Sequence, residues 1–356
     1  MNSQLLAFGL LAGVIASAQA PQPYTWSAVG PMGTARADAC AVLLKDARAM
    51  IVGGIGADGS ALASAEFFNT DWSFTAAPSL NTARASQSCS VLQDGRVLVA
   101  GGNDGQGNAL GSAEIFDPAA QSWQTIANLN EPRFDQTATV LEDGRVLMAG
   151  GCDAMGAKAT LELFDPATNQ FTTVSSPLSS PRHHFAAALL QNGQVLLAGG
   201  SDGTVSLFTT DLFDPASGAV SPGPNLLLPR AALTANTLLD GSVLVVGGND
   251  GTQDLATAEL YDPTSNAFSY VFSELATARS GHLAFLIPGN GNVLIVGGRS
   301  TGVPLASCEL YTFQGEFSTV GSTSTPRADA TGVATGPGLV LTAGGRNDAG
   351  VEAGWG

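Results

Sequence analysis

The sequence predicts an all-β fold, a seven-bladed β-propeller of four-stranded antiparallel blades whose ring is closed by the N-terminal strand. Three observations predict it. The stretch VLQDGRVLVAGGNDG, Val91 to Gly105, returns along the chain, as VLEDGRVLMAGG from Val140 and LLDGSVLVVGG from Leu238. Adjacent glycines close the stretch at Gly53-Gly54, Gly101-Gly102, Gly150-Gly151, Gly199-Gly200, Gly247-Gly248, Gly297-Gly298 and Gly344-Gly345, at intervals of 47 to 50 residues. An arginine precedes each pair (Arg36, Arg84, Arg133, Arg182, Arg230, Arg279, Arg327), by 17 residues in every copy except the sixth, where it is 18.

Each copy reads as four strands. The first is the apolar run after the arginine, Ala138 to Leu141 in the third copy. Asp143-Gly144 then marks a tight hairpin, because such a turn needs positive φ. The second strand, VLVA or VLLA, is apolar at consecutive positions, the mark of a strand covered on both faces. After a variable loop comes a third strand such as AEIFDP, closed by Asp-Pro. The fourth opens on Trp72, Trp123, Phe171, Phe268 and Phe317, with Val220 the exception.

A four-stranded unit of this length is a propeller blade; solenoid coils take about half as many residues. The ends support a closed ring. The last copy stops soon after its second strand, and Thr25 to Met32 reads as an orphan fourth strand that would complete the seventh blade and remove the sheet edges. Glu352 is the expected third-strand acid of that blade. Domain organisation follows: residues 1–20 form a signal peptide and residues 21–356 the propeller, with repeats beginning near 36, 84, 133, 182, 230, 279 and 327. Leu5 to Ala16 is a short apolar run, and Ala18-Gln19-Ala20 fits a small-x-small cleavage site, although the segment lacks Lys and Arg. The competing reading is a buried N-terminal helix. The expected location is extracytoplasmic, secreted or periplasmic.

Composition limits the partners. The net charge of −16 argues against nucleic acid or an anionic membrane surface, and no later stretch is long and apolar enough to span a bilayer. A hydrophobic fraction of 44% argues against disorder. Four cysteines make neither a disulfide framework nor a zinc pattern, but Cys40 and Cys89 sit at nearly matching positions of neighbouring copies and could pair in an oxidising compartment.

The double glycine, the Asp-Gly hairpin before it and the aromatic of the outer strand resemble the kelch repeat. The wording R…L.DGRVLVAGG…AE.FDP…W is similar to bacterial secreted kelch proteins and to the propeller of galactose-oxidase-like enzymes, over essentially the whole mature chain. That propeller hosts enzymes and binders alike, so the resemblance implies a fold more than a function.

The recurring charged residues have a structural role to fill first. Glu66, Glu114, Glu162, Asp211, Glu259 and Glu309 recur at one third-strand position as the arginines do at theirs, which predicts a pairing within or between blades. The resemblance also implies that arginines near this position can face a ligand. Function is expected where the copies differ. Two residues after each arginine stand Asp38, Ser86, Asp135, His184, Ala232, Gly281 and Asp329, expected around the channel mouth. Asp38 with Asp329, and Asp135 with His184, should be neighbours. The loops after the glycines add Asp58, Asp104, Asp153, Asp202, Asp250 and Asp348, read as turn formers, as a polar mouth for a neutral or cationic ligand, or as a calcium site.

The candidate ligand-binding residues are Asp38, Asp135, His183, His184, His282 and Asp329; no catalytic residue or metal ligand is assigned. No cofactor is expected: calcium is the ion that clustered carboxylates would take, and copper is disfavoured. The copper-radical oxidases sharing this propeller need tyrosine and histidine ligands and a cysteine near a tyrosine, and here no tyrosine adjoins a histidine. No GxSxG, HExxH, P-loop or dinucleotide motif occurs. The expected function is an exported, monomeric binding or interaction module taking a glycan or an extracellular protein at the mouth. The alternative is a carbohydrate-active enzyme of oxidase or mutarotase type.

Overall fold

The computed structural model describes residues 24–287, 289–336, 338–347 and 350–351. The segment read as a signal peptide lies outside them. No described helix is long and apolar enough to cross a membrane.

The described residues form a six-bladed propeller, which corrects the seven blades expected from the repeat count. Six four-stranded antiparallel sheets occupy residues 40–77, 88–125, 137–173, 186–222, 234–270 and 283–320. Blade one pairs Cys40–Leu43, Ala49–Val52, Ala65–Phe68 and Phe74–Ala77 in that order. The seventh copy forms only a two-stranded hairpin, Thr331–Gly336 with Leu339–Ala343, followed by a short ladder, Arg346–Asn347 with Gly350–Val351.

The reason lies in pairing. The segment from Thr25 to Met32, expected to complete a seventh blade, is not a strand. It is held by side chains instead: Trp26 Nε1 donates to the Gly321 carbonyl of blade six at 2.9 Å, and Met32 packs with Ala49, Ile51, Leu341 and Ala343. The Tyr24 hydroxyl accepts from the Asn290 and Asn292 amides at 3.1 and 3.0 Å. The expected third-strand acid, Glu352, lies outside the described residues. The hairpin nevertheless fills the gap between blades six and one: Leu341 and Ala343 pack with Ala49 and Ile51 of blade one, and Val340 with Leu294 and Val296 of blade six.

Burial follows the sequence pattern. The second strands, such as Val97–Ala100 and Val146–Ala149, are buried at every position, whereas fourth strands such as Ser122–Thr125 are mostly exposed. The core therefore sits between blades: Val42, Met50, Val52 and Phe67 of blade one pack with Val97, Val99 and Phe116 of blade two. Each fully buried Leu, Val or Phe contributes about 1.5–3 kcal/mol of transfer free energy. In blade one the outer aromatic is Phe74, paired with Phe68, the two rings tilted with centroids 5.0 Å apart; Trp72, the expected opener, is in the preceding turn and half exposed. A disulfide joins Cys40 of blade one to Cys89 of blade two, Cα atoms 6.1 Å apart.

Candidate functional site: the channel mouth

The glycine–arginine motif is the joint between neighbouring copies. The second glycine of each pair donates its N–H to the backbone carbonyl of the next copy's arginine: Gly54 to Arg84, Gly102 to Arg133, Gly151 to Arg182, Gly200 to Arg230, Gly248 to Arg279 and Gly298 to Arg327. Gly345 closes the circle on Arg36 at 2.9 Å. A Cβ on Gly101 would lie 2.5 Å from the Arg133 carbonyl, so that carbonyl's path excludes any side chain there.

The arginine side chains work within their own copy. Arg84 Nη1 donates to the carbonyls of Gly101 and Ser112 at 2.7 and 2.8 Å, and its Nη2 to Ser112 Oγ and Glu114 Oε1 at 2.9 and 3.0 Å. Arg36, Arg133, Arg182, Arg230 and Arg279 pair likewise with Glu66, Glu162, Asp211, Glu259 and Glu309 at 2.7–3.0 Å. Arg327 Nη1 reaches the Gly344 carbonyl at 3.0 Å. Each acid also accepts from the backbone ahead of the arginine, as Glu114 does from Asn81 N and Thr82 N. Burial pushes these six paired guanidinium groups below their ordinary range against the pull of their acids. All seven arginines are essentially fully buried and offer nothing to a ligand.

Two residues beyond each arginine the chain turns left-handed. Asp38, Ser86, Asp135, His184, Ala232, Gly281 and Asp329 all have φ between +50° and +59°. Backbone bonds link them from copy to copy: Ser86 N to Asp38 O, Asp135 N to Ser86 O, Ala232 N to His184 O and Gly281 N to Ala232 O, at 2.8–3.1 Å. These residues form the innermost ring, and their side chains stand at its opening.

The ring carries two polar groupings. On one side Arg346 Nη2 donates to Asp38 Oδ2 at 2.9 Å and Arg346 Nε lies 3.6 Å from Asp329 Oδ2, while Arg299 Nη2 holds both Asp329 oxygens at 2.5 Å. Burial pushes the Asp38 carboxyl up; the Arg346 bond pulls it down, and the charges of Asp329 and Asp135 add to the rise. On the other side His184 Nε2 lies 3.3 Å from Asp135 Oδ2, and the Nδ1 atoms of His183 and His184 are 2.7 Å apart. Burial, then the neighbouring His184, lowers the His183 pKa.

The structure thus brings together Asp38 with Asp329, and Asp135 with His183 and His184. It does not bring His282 to the mouth: that ring is buried between blades five and six, its Nε2 2.9 Å from Thr234 Oγ1. The loop aspartates are spread through their own turns, Asp58 accepting from Ser60, Asp104 from Gln106 and Asn108, Asp202 from Thr204 and Asp250 from Thr252; Asp153 pairs with Lys158. Asp348 lies outside the described residues. Sequence reasoning missed Arg299 and Arg346, which make the mouth zwitterionic. The signal was present: the position after the glycine pair reads Ile55, Asn103, Cys152, Ser201 and Asn249, then arginine in the last two copies. A polar cleft of about 400 Å³ opens beside Arg299, lined by Asn249, Thr252, Gln253, Asp254, Ser280, Thr301 and Gly302.

Blades of four antiparallel strands joined by a buried arginine and a double glycine define a β-propeller that carries kelch repeats. The kelch motif model matches residues 84–130 and 230–271, the second and fifth copies. Among solved structures, the chain is similar to a novel fungal alcohol oxidase with catalytic diversity among the AA5 family, in complex with copper. The likeness covers 91% of this chain and 73% of that one, with a TM-score of 0.74 and 17% sequence identity, and shows the galactose-oxidase-like fold alone. A comparison with curated proteins finds no match.

The tyrosine and histidine ligand set that copper-radical chemistry would need is not assembled at this mouth. Tyr261 and Tyr311 are buried against Phe268 and Phe317, Tyr24 packs by Asn290 and Asn292, and Tyr270 is exposed on a fourth strand. The residues present do not fit that group.

Proposed function

We propose that this protein is an exported kelch-type binding module that takes a neutral glycan at the channel mouth. The observation that carries the reading is the convergence of donors and acceptors there. The Asp38–Arg346–Asp329–Arg299 array offers carboxylates and guanidinium groups side by side, and the adjoining cleft adds Asn249, Gln253 and Asp254. Sugar hydroxyls donate and accept at once, so such a surface satisfies them without burying an unpaired charge. The Cys40–Cys89 disulfide supports action in an oxidising compartment, as does the apolar N-terminus.

A glycan and polysaccharide array with residues 21–356 tests the reading. The expected result is saturable binding to one class of neutral sugar, weakened at least tenfold by Arg299→Gln or Asp254→Asn, consistent with one lost charged hydrogen bond of about 1.5–3 kcal/mol. A blank array with folded protein would overturn it in favour of a protein ligand. The alternative, a carbohydrate-active enzyme, is supported by the Asp135–His184 contact, which sets a carboxylate beside an imidazole at an open mouth. Turnover of a bound sugar, abolished by His184→Asn, would establish it.

A further inference from the structure

We propose that Asp135, His183 and His184 form a site for a borderline divalent cation of the Zn²⁺ type, with an open coordination position facing the channel mouth. The site is independent of the glycan reading and uses none of the residues that carry it.

Among the described residues this is the group of three metal-ligating side chains that converge, one ligand atom from each lying within 4.8 Å of the others. Backbone geometry makes it. Adjacent residues of an extended strand point to opposite sides, yet the two imidazoles face one another, ring centroids 4.6 Å apart. The left-handed turn at His184, φ +50°, brings its ring onto the His183 side. Neither backbone is free to relax. His183 is held in a ladder with Ser201, N–H to carbonyl in both directions at 2.9 Å, and the His184 carbonyl accepts from Ala232 N at 2.8 Å.

The consequence is two Nδ1 atoms 2.7 Å apart. Two unprotonated nitrogens repel at that distance, so a proton or a cation has to sit between them. Asp135 favours the cation. Its Oδ2 lies 3.3 Å from His184 Nε2, so a carboxylate charge stands beside the two imidazoles and offers a third ligand atom to an ion held by them. Two nitrogens at about 2.0–2.1 Å from one ion at a tetrahedral angle stand about 3.3–3.4 Å apart, so binding opens the pair by roughly 0.6 Å from its 2.7 Å. Two imidazoles and one carboxylate are a donor set for zinc rather than for calcium, which takes six to eight oxygens. The half-exposed His184 leaves the remaining position open to solvent. On binding, the proton shared by the two Nδ1 atoms is released to water.

Titration of the metal-free full chain with Zn²⁺ alone, followed by calorimetry, tests this, with Co²⁺ as the spectroscopic probe. The expected result is one ion per chain and visible d–d bands of a nitrogen- and oxygen-ligated Co²⁺. Binding should fall at least a hundredfold in His183→Ala and in His184→Asn, the latter chosen because asparagine tolerates the left-handed turn. Asp135→Asn should weaken it about 10–100-fold, and Asp58→Asn should leave it unchanged. Thermal melts of each variant exclude unfolding as the cause. Absence of a one-to-one ion, or binding that survives both histidine variants in folded protein, would overturn the proposal.

Discussion

His282 stands third after its arginine, the register that holds Gln87, Gln136, Phe185 and Leu233 in other blades. Gln87 and Gln136 use it to donate to the preceding blade, to the carbonyls of Val52 and Ala100 at 2.8 Å. His282 meets Thr234 through Nε2, while its Nδ1 has no partner among the described residues. Complete burial, aided by the nearby Arg279 charge, lowers its pKa to about 3. A base whose pKa is depressed on folding takes up its proton in the unfolded chain first. Its neutral fit is therefore fully retained above about pH 6.5 and is lost as pH falls from there toward 3. Between pH 7 and 5 this one group should cost about 2 kcal/mol of stability, at about 1.4 kcal/mol per pH unit below 6.5. His282→Leu, which places there the residue that Leu233 supplies one blade earlier, should lose that much less than the natural protein in urea titrations at the two pH values. The register in the sequence already set His282 apart from His184, three places beyond its arginine rather than two; only the burial of its ring between blades needed the structure.

At the scale of the element, the blade is held by a charge that never sees water. Glu114 accepts from Arg84, Asn81 and Thr82, and both it and Arg84 are fully buried. Glu114→Ala strands that guanidinium and should cost about 3–5 kcal/mol in chemical denaturation. Glu131, the half-exposed second partner of Arg133 at 3.6 Å, should cost less than about 1 kcal/mol when changed to alanine. This level was the most legible in the sequence. An arginine, a glycine pair and an acid at constant spacing are local facts, and the doubly covered second strand follows from four consecutive apolar residues. The seventh blade was not legible in the same way. Its outer strands depended on a distant segment pairing across the whole chain, and the segment from Thr25 to Met32 packs through Trp26 and Met32 instead of making a ladder. The mouth's charge balance was legible but missed, because counting its carboxylates overlooked the arginine that follows two of the glycine pairs.

At the scale of the whole molecule, the Cys40–Cys89 bond spans a separation of 49 residues and fastens blade one to blade two. Restricting a loop of that size in the unfolded chain is worth up to about 4 kcal/mol in the chain-entropy description. Paired alanine replacement of the two cysteines should lower stability by about 2–4 kcal/mol in denaturant titrations, with the fold retained because the joints at the glycine pairs are untouched. Those joints carry a consequence of their own. Each copy grips the next through one glycine N–H and one arginine carbonyl, and the last grips the first, so the circle has no loose end from which to peel. An open array of repeats can fray one unit at a time. Here any copy that leaves must release a neighbour on both sides, and the molecule is built to come apart in a single step, like an arch that stands whole or falls whole.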